Sequence, residues 1–295
     1  MHQITIHEID KNIFIPENLG ECNRQQYLDM SKLVLMFNMA EIDLRQFRTL
    51  GLFNLMNMER SPSDLPGVEE EKWQNIYVLS QLLDSFYEIR EDGKMYLVQD
   101  YIHNPVKSVK YKALTFRGPK DGFQDMTWGQ FVDGIGELME YGKSGKIESL
   151  VKLFAIFYVR PSAPYGGFDM DRRVKFFDLL DIRYVYGFYL LFNSFWTFLT
   201  TQSVINVDGR EVDLRVIFEQ NEGGEDQELE AELEAEYPGL GFRSTSYQLA
   251  ESQVFGPKEK LDKTNFWEVF LNLYDMMQRF RKREKMMEIE KEKNK

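Results

Sequence analysis

Along most of this chain, apolar side chains recur at three- and four-residue steps, the spacing that lays them on one face of an α-helix. The first such run opens at Asn23. Its side chain can accept from the backbone near Gln26 while Gln26 reaches back, and Tyr27, Met30, Leu33, Val34 and Phe37 follow. Asp43 with Gln46 repeats the arrangement ahead of Leu44, Phe47 and Leu50, so two short helices in a hairpin are expected. After the breakers Pro62, Pro66 and Gly67, the residues Trp73, Ile76, Ser80, Leu83 and Tyr87 predict one longer helix with a buried face. Between residues 94 and 116 the period changes to two, most clearly in Val109, Lys110, Tyr111, Lys112 and Ala113, which predicts a strand with one wet face.

Gly118, Pro119 and Gly122 read as a joint and as a domain boundary. Thr127 and Gln130 then form another capping signature, and Trp128, Phe131, Val132, Ile135, Leu138 and Met139 share one helical face. A turn bracketed by Gly142 and Gly145 leads to Ile147, Leu150, Val151, Phe154, Phe157 and Tyr158, predicting a second helical hairpin. Asp169 or Asp171 can cap a helix carrying Val174, Phe177 and Leu180. Asp181 can open the nearly all-apolar run through Tyr186, Tyr189, Phe192, Trp196 and Leu199, expected to be a central helix. Val207 and Val212 flank Asp208-Gly209, and Val212, Leu214, Val216 and Phe218 alternate with polar residues as the arm of a β-ribbon would. From Asn265 onward, Phe266, Val269, Phe270, Leu273, Tyr274 and Met277 mark a final amphipathic helix.

The fold class expected is therefore mainly α: stacked helical hairpins with a small β element and a short β-ribbon. Its expected divisions are an N-terminal region 1–118, a central aromatic-rich domain 119–218, an acidic loop or linker 219–241, and a C-terminal helical segment 242–295.

Composition narrows the function classes. A chain of 295 residues that is 43% hydrophobic can bury one large core or two modest ones. The lone Cys22 cannot form an internal disulfide, in keeping with a reducing compartment. The first ten residues lack the apolar run of a signal peptide. Residues 184–199 fall short of the roughly 20 apolar residues of a bilayer span and are interrupted by Gly187, Asn193 and Ser194, so no membrane association is expected. A net charge of −12 opposes nucleic-acid backbones, and the basic run 279–285 reads as a solvated helix end. Residues 219–236 hold repeated acids with no lysine or arginine and read as an exposed loop or a loosely held helix.

Candidate chemistry is sparse. The three histidines, His2, His7 and His103, do not suggest a triad, and Cys22 reads as a structural thiol. Asp169 and Asp171 form a D-x-D that could hold a divalent cation in a metal-dependent enzyme, although helix capping accounts for the same residues. Gly134 and Gly136 lie inside an amphipathic run, where close helix packing explains them better than a nucleotide loop. No cofactor is implied, and the expectation is a protein without enzymatic activity. Aromatic density is the positive signal, from which Trp128, Phe131, Tyr165 and Phe168 are taken as partner-binding candidates.

The run Met126-Thr127-Trp128-Gly129-Gln130-Phe131-Val132-Asp133 is followed by a helical hairpin, a Tyr/Pro-rich loop and the aromatic stretch 192–198. With Ile13-Phe14-Ile15-Pro16, residues 22–27 and Val254-Phe255-Gly256, it resembles tail-module proteins of Bacteroidetes phages and prophages, in particular tail-assembly chaperones. The resemblance is clearest over residues 125–200. It implies a non-enzymatic part in virion morphogenesis, either holding the tape-measure protein in the host cytoplasm during tail assembly or serving as a neck or tail-connector subunit of the virion. The implied partners are other tail or neck proteins, with homo-oligomerisation as a further arrangement.

Overall fold

The computed structural model describes residues 1–6, 10–59, 67–207, 209–218 and 240–293. Of the described residues 60% are helical, and the strands among them form only two-stranded antiparallel hairpins, so the fold is mainly α with small β elements. Among the described residues, no helix is long and apolar enough to cross a membrane. Asp208, the acidic stretch 219–236, His7 and the breakers Pro62 and Pro66 lie outside the described residues.

The chain divides into two compact units, each discontinuous in sequence: residues 1–118 with 146–195, and residues 119–145 with 196–295. The first crossing falls at the Gly118-Pro119 joint, but the segment 119–218 is shared between the units.

In the first unit, β1 (His2–Ile6) pairs with β2 (Lys11–Ile15), placing His2 opposite Ile15. Periodicity had not marked this ribbon. Helices α1 (Arg24–Asn38) and α2 (Leu44–Met56) start at complete capping boxes, Asn23 with Gln26 and Asp43 with Gln46, and pack together as a hairpin. The longer helix expected next does not form. Helix α3 (Val68–Ser80) buries only Ser80 and gives way to a 3-10 turn, Gln81–Phe86, from which Leu83 and Phe86 enter the core. Tyr87 already belongs to β3 (Tyr87–Ile89), which pairs with β4 (Met95–Leu97). The anticipated strand through Ala113 is also shorter. The strand β5 (Ser108–Tyr111) turns through Lys112 and Ala113, both in left-handed backbone, into β6 (Leu114–Arg117).

Helices α5 (Ile147–Phe157) and α6 (Met170–Phe177) pack on each other, and the chain then enters α7 (Ile182–Thr201), inside which the unit boundary falls. The Asp181 carboxylate accepts from the Arg183 backbone, and the Arg183 guanidinium reaches Asp29 at 2.6 Å, tying the start of α7 to α1. Val185, Tyr186, Phe188, Leu190, Leu191, Phe192 and Phe195 are all buried, as expected of a central helix. Gly187 marks a close approach there. Tyr27 donates to its carbonyl at 2.7 Å, and a Cβ on it would stand 3.1 Å from both the Tyr27 ring and the Ser31 hydroxyl.

In the second unit, α4 (Trp128–Ser144) opens at the Thr127–Gln130 capping box and ends at Gly145 in left-handed backbone. The expected hairpin of α4 with α5 spans the two units, for α5 belongs to the other one, and within its own unit α4 is covered by a later helix. Its partner is α10 (Phe266–Lys293). The backbone of Trp128 donates to Thr264 at 2.9 Å, the backbone of Phe266 donates to Met126 at 2.9 Å, and Phe131 meets Phe266 and Phe270 ring to ring. Gly134 is buried, but a Cβ on Gly136 would meet open space, so close packing does not account for that glycine.

The ribbon of β7 (Val204–Val207) and β8 (Arg210–Asp213) is present, but its second arm stops at Asp213. That carboxylate accepts from the backbone of Arg215 and caps a 3-10 turn, Leu214–Ile217, which buries Leu214 and Val216. Two further helices, α8 (Phe242–Glu251) and α9 (Lys258–Leu261), precede α10.

Candidate functional site

Of the four aromatic residues expected to meet a partner, two are core. Trp128 and Phe131 have no exposed surface. The Trp128 indole donates to Ser246 at 2.8 Å, and both rings sit among Phe242 and Phe266. A stripe of aromatic residues faces inward when another helix covers it, and α10 does so here. Tyr165 and Phe168 are half-buried on the loop before α6.

Phe168 belongs to a concave cup in the first unit, of about 290 Å³, bounded by β6, by the loop after α5 and by α6. The frame is held by local bonds. Arg117 and Val159 exchange backbone hydrogen bonds at 2.8 and 3.0 Å, which fixes β6 beside Arg160, and Ala163 and Gly167 close successive turns onto Arg160 and Pro164. Phe116 and Phe177 meet at 4.8 Å between ring centres, and Tyr111 and Phe176 at 5.4 Å, forming an aromatic wall behind the cup.

Three arginines converge on this cup, Arg160, Arg172 and Arg173. Arg172 is exposed and 3.6 Å from Asp169, its partner across one helical turn. Arg173 is different in kind. Only 8% of its surface is accessible, its guanidinium lies 3.6 Å from the centre of the Phe168 ring and 5.6 Å from that of Phe116, and its Nη1 is buried with no hydrogen-bond partner. Burial, and secondarily the like charge of Arg160, lower its pKa to about 10, which still leaves it cationic at neutral pH.

The Asp169 carboxylate accepts from the Arg172 backbone at 3.2 Å as the cap of α6, and its surroundings are cationic. Among the described residues, no group of three or more His, Cys, Asp or Glu side chains that could hold a metal ion is found. Cys22 is buried, and burial pushes its thiol pKa up to about 12, as befits a structural cysteine.

Arg173 escaped the sequence reading, though a signal existed. It precedes the buried Phe177 by four residues, so a cation falls on the inward face of α6.

A second surface lies on α10. Val269 and Phe270 are fully buried, Leu273 is half-buried, and Met276, Phe280 and Met287 continue the stripe of Val269 with exposures of 47%, 49% and 54%. At 100° per residue Val269, Met276, Phe280 and Met287 share one narrow face, so the core-facing stripe runs on beyond the core that covers its start. A larger cavity of about 390 Å³ between α2 and α3, lined by Phe53, Trp73 and Ile76, has its wall at Glu59, where the described residues stop.

No family model, no curated protein and no solved structure matches this chain.

Proposed function

We propose that this chain is a non-enzymatic protein of phage tail morphogenesis. In this reading it acts in the host cytoplasm as an assembly chaperone that holds helical segments of the tape-measure protein. The phage assignment rests on the sequence resemblance. The binding mode rests on one observation, the apolar face of α10 that continues through Met276, Phe280 and Met287, which no described residue covers. Apolar residues at helical spacing on an exposed helix suit a second amphipathic helix laid alongside. At 100° per residue Arg279, Arg283 and Glu290 border one edge of that face and Glu284 the other, so a partner helix bearing charges of both signs beside its apolar stripe suits it.

The test is co-expression with the tape-measure protein of the same gene module. The double variant Phe280→Ser, Met287→Ser should fold normally and lose copurification of the tape-measure protein by at least tenfold. Undiminished copurification removes α10 as the contact. Stoichiometric presence of the chain in purified particles, measured by mass spectrometry, replaces the chaperone role with that of a neck or tail-connector subunit.

A further inference from the structure

We propose that the cup around Arg173 is a binding site for a carboxylate carried on an apolar body. A buried guanidinium without a counter-charge is costly, and folded proteins keep such groups paired. Here the carboxylates closest in sequence, Asp169 and Asp171, do not supply the pair. Asp169 is committed to the α6 backbone and to Arg172, and Asp171 is exposed. Among the described residues no acidic side chain forms an ion pair with Arg173, and the one charge that perturbs it, Arg160, repels it. The missing partner is an anion from outside.

The shape of the site selects the anion. Phe168 covers one face of the guanidinium at 3.6 Å, so hydrogen bonds can be made only in its plane, where a planar carboxylate meets the edge with two parallel bonds. A phosphate would bring a second charge against a cup whose lining includes the apolar side chains of Leu114, Phe116 and Phe176. Those same side chains give the body of the ligand an apolar seat, and the half-exposed Arg160 adds charge at the rim. A protein C-terminus ending in an apolar residue and a free aryl- or alkyl-carboxylic acid share this chemistry. The site is independent of the α10 face, and either can fail without the other.

Titration calorimetry on the full chain tests the site. The probes are 3-phenylpropanoate, an octapeptide ending in Leu with a free carboxylate, the same peptide as its C-terminal amide, and inorganic phosphate. Saturable binding of 3-phenylpropanoate or of the free-acid peptide is expected, with the amide and phosphate at least tenfold weaker. The tighter of the first two identifies the source of the carboxylate. Arg173→Met should weaken binding at least tenfold while raising Tm by about 2–4 °C, because an unpaired buried charge has been removed. Phe168→Leu, at a half-exposed loop position, should weaken binding several-fold and covers the case in which Arg173→Met does not fold. Absence of binding by both carboxylates, equal binding of phosphate, or a lowered Tm for Arg173→Met with unchanged affinity overturns the proposal.

Discussion

Removing the Ser246 hydroxyl should cost far more than its size suggests. Ser246 accepts from the Trp128 indole at 2.8 Å and donates to the Phe242 carbonyl one turn back at 3.0 Å, and both residues are almost completely buried. In Ser246→Ala the indole N–H stays in the core without an acceptor, because Phe131, Phe242 and Phe266 around it present rings. An orphaned buried donor costs about 1–3 kcal/mol. In a Trp128→Phe background there is no donor to orphan, and the same substitution removes only a bond to the helix's own carbonyl, worth under about 0.5 kcal/mol. The coupling between the two positions is therefore about 0.5–3 kcal/mol. Urea unfolding of the four proteins, followed by far-UV circular dichroism, measures it. An equal cost of Ser246→Ala in both backgrounds refutes the indole–hydroxyl bond as the source of the effect.

Three other outcomes follow. Thr127→Ala breaks the capping box of α4 and should destabilise the second unit by about 1 kcal/mol, read from the same unfolding curves. Cys22 should resist alkylation at pH 8 in the folded chain and react promptly in urea. Its folded pKa, near 12, exceeds the unfolded value, so its contribution to stability is complete below about pH 8.5 and is lost as pH rises toward 12, which a Cys22→Ala comparison across that range would show. Asp169→Asn should keep α6 capped, with no saturable magnesium heat in calorimetry before or after the change; a saturable heat abolished by the substitution would restore the metal reading.

The elements legible in the sequence are those that local chemistry decides. Capping boxes at Asn23, Asp43 and Thr127 involve residues three apart, and each marks a helix start in the structure. The stretch 73–87 misled because the step that buries Ser80, Leu83 and Phe86 also fits a 3-10 turn entering a strand, and the choice is made by packing against α2. Lys112 and Ala113 carry no turn signature, yet pairing of β5 with β6 holds both in left-handed backbone. Aromatic density located the core of α4 but could not separate core from surface, since covering Trp128 and Phe131 depends on α10, far along the chain. The Arg173 cup shared that obstacle, with its walls drawn from β6 and α6.

The closure of α4 by α10 imposes an order on biosynthesis. Trp128 and Phe131 leave the ribosome long before Phe266 and Phe270, and at roughly 5–20 residues per second their face stays wet for about 7–28 s. Throughout that interval the nascent chain displays an aromatic ridge with no lid, open to holdases or to neighbouring chains on the same message. Yield during rapid expression is accordingly governed by how soon the last helix arrives.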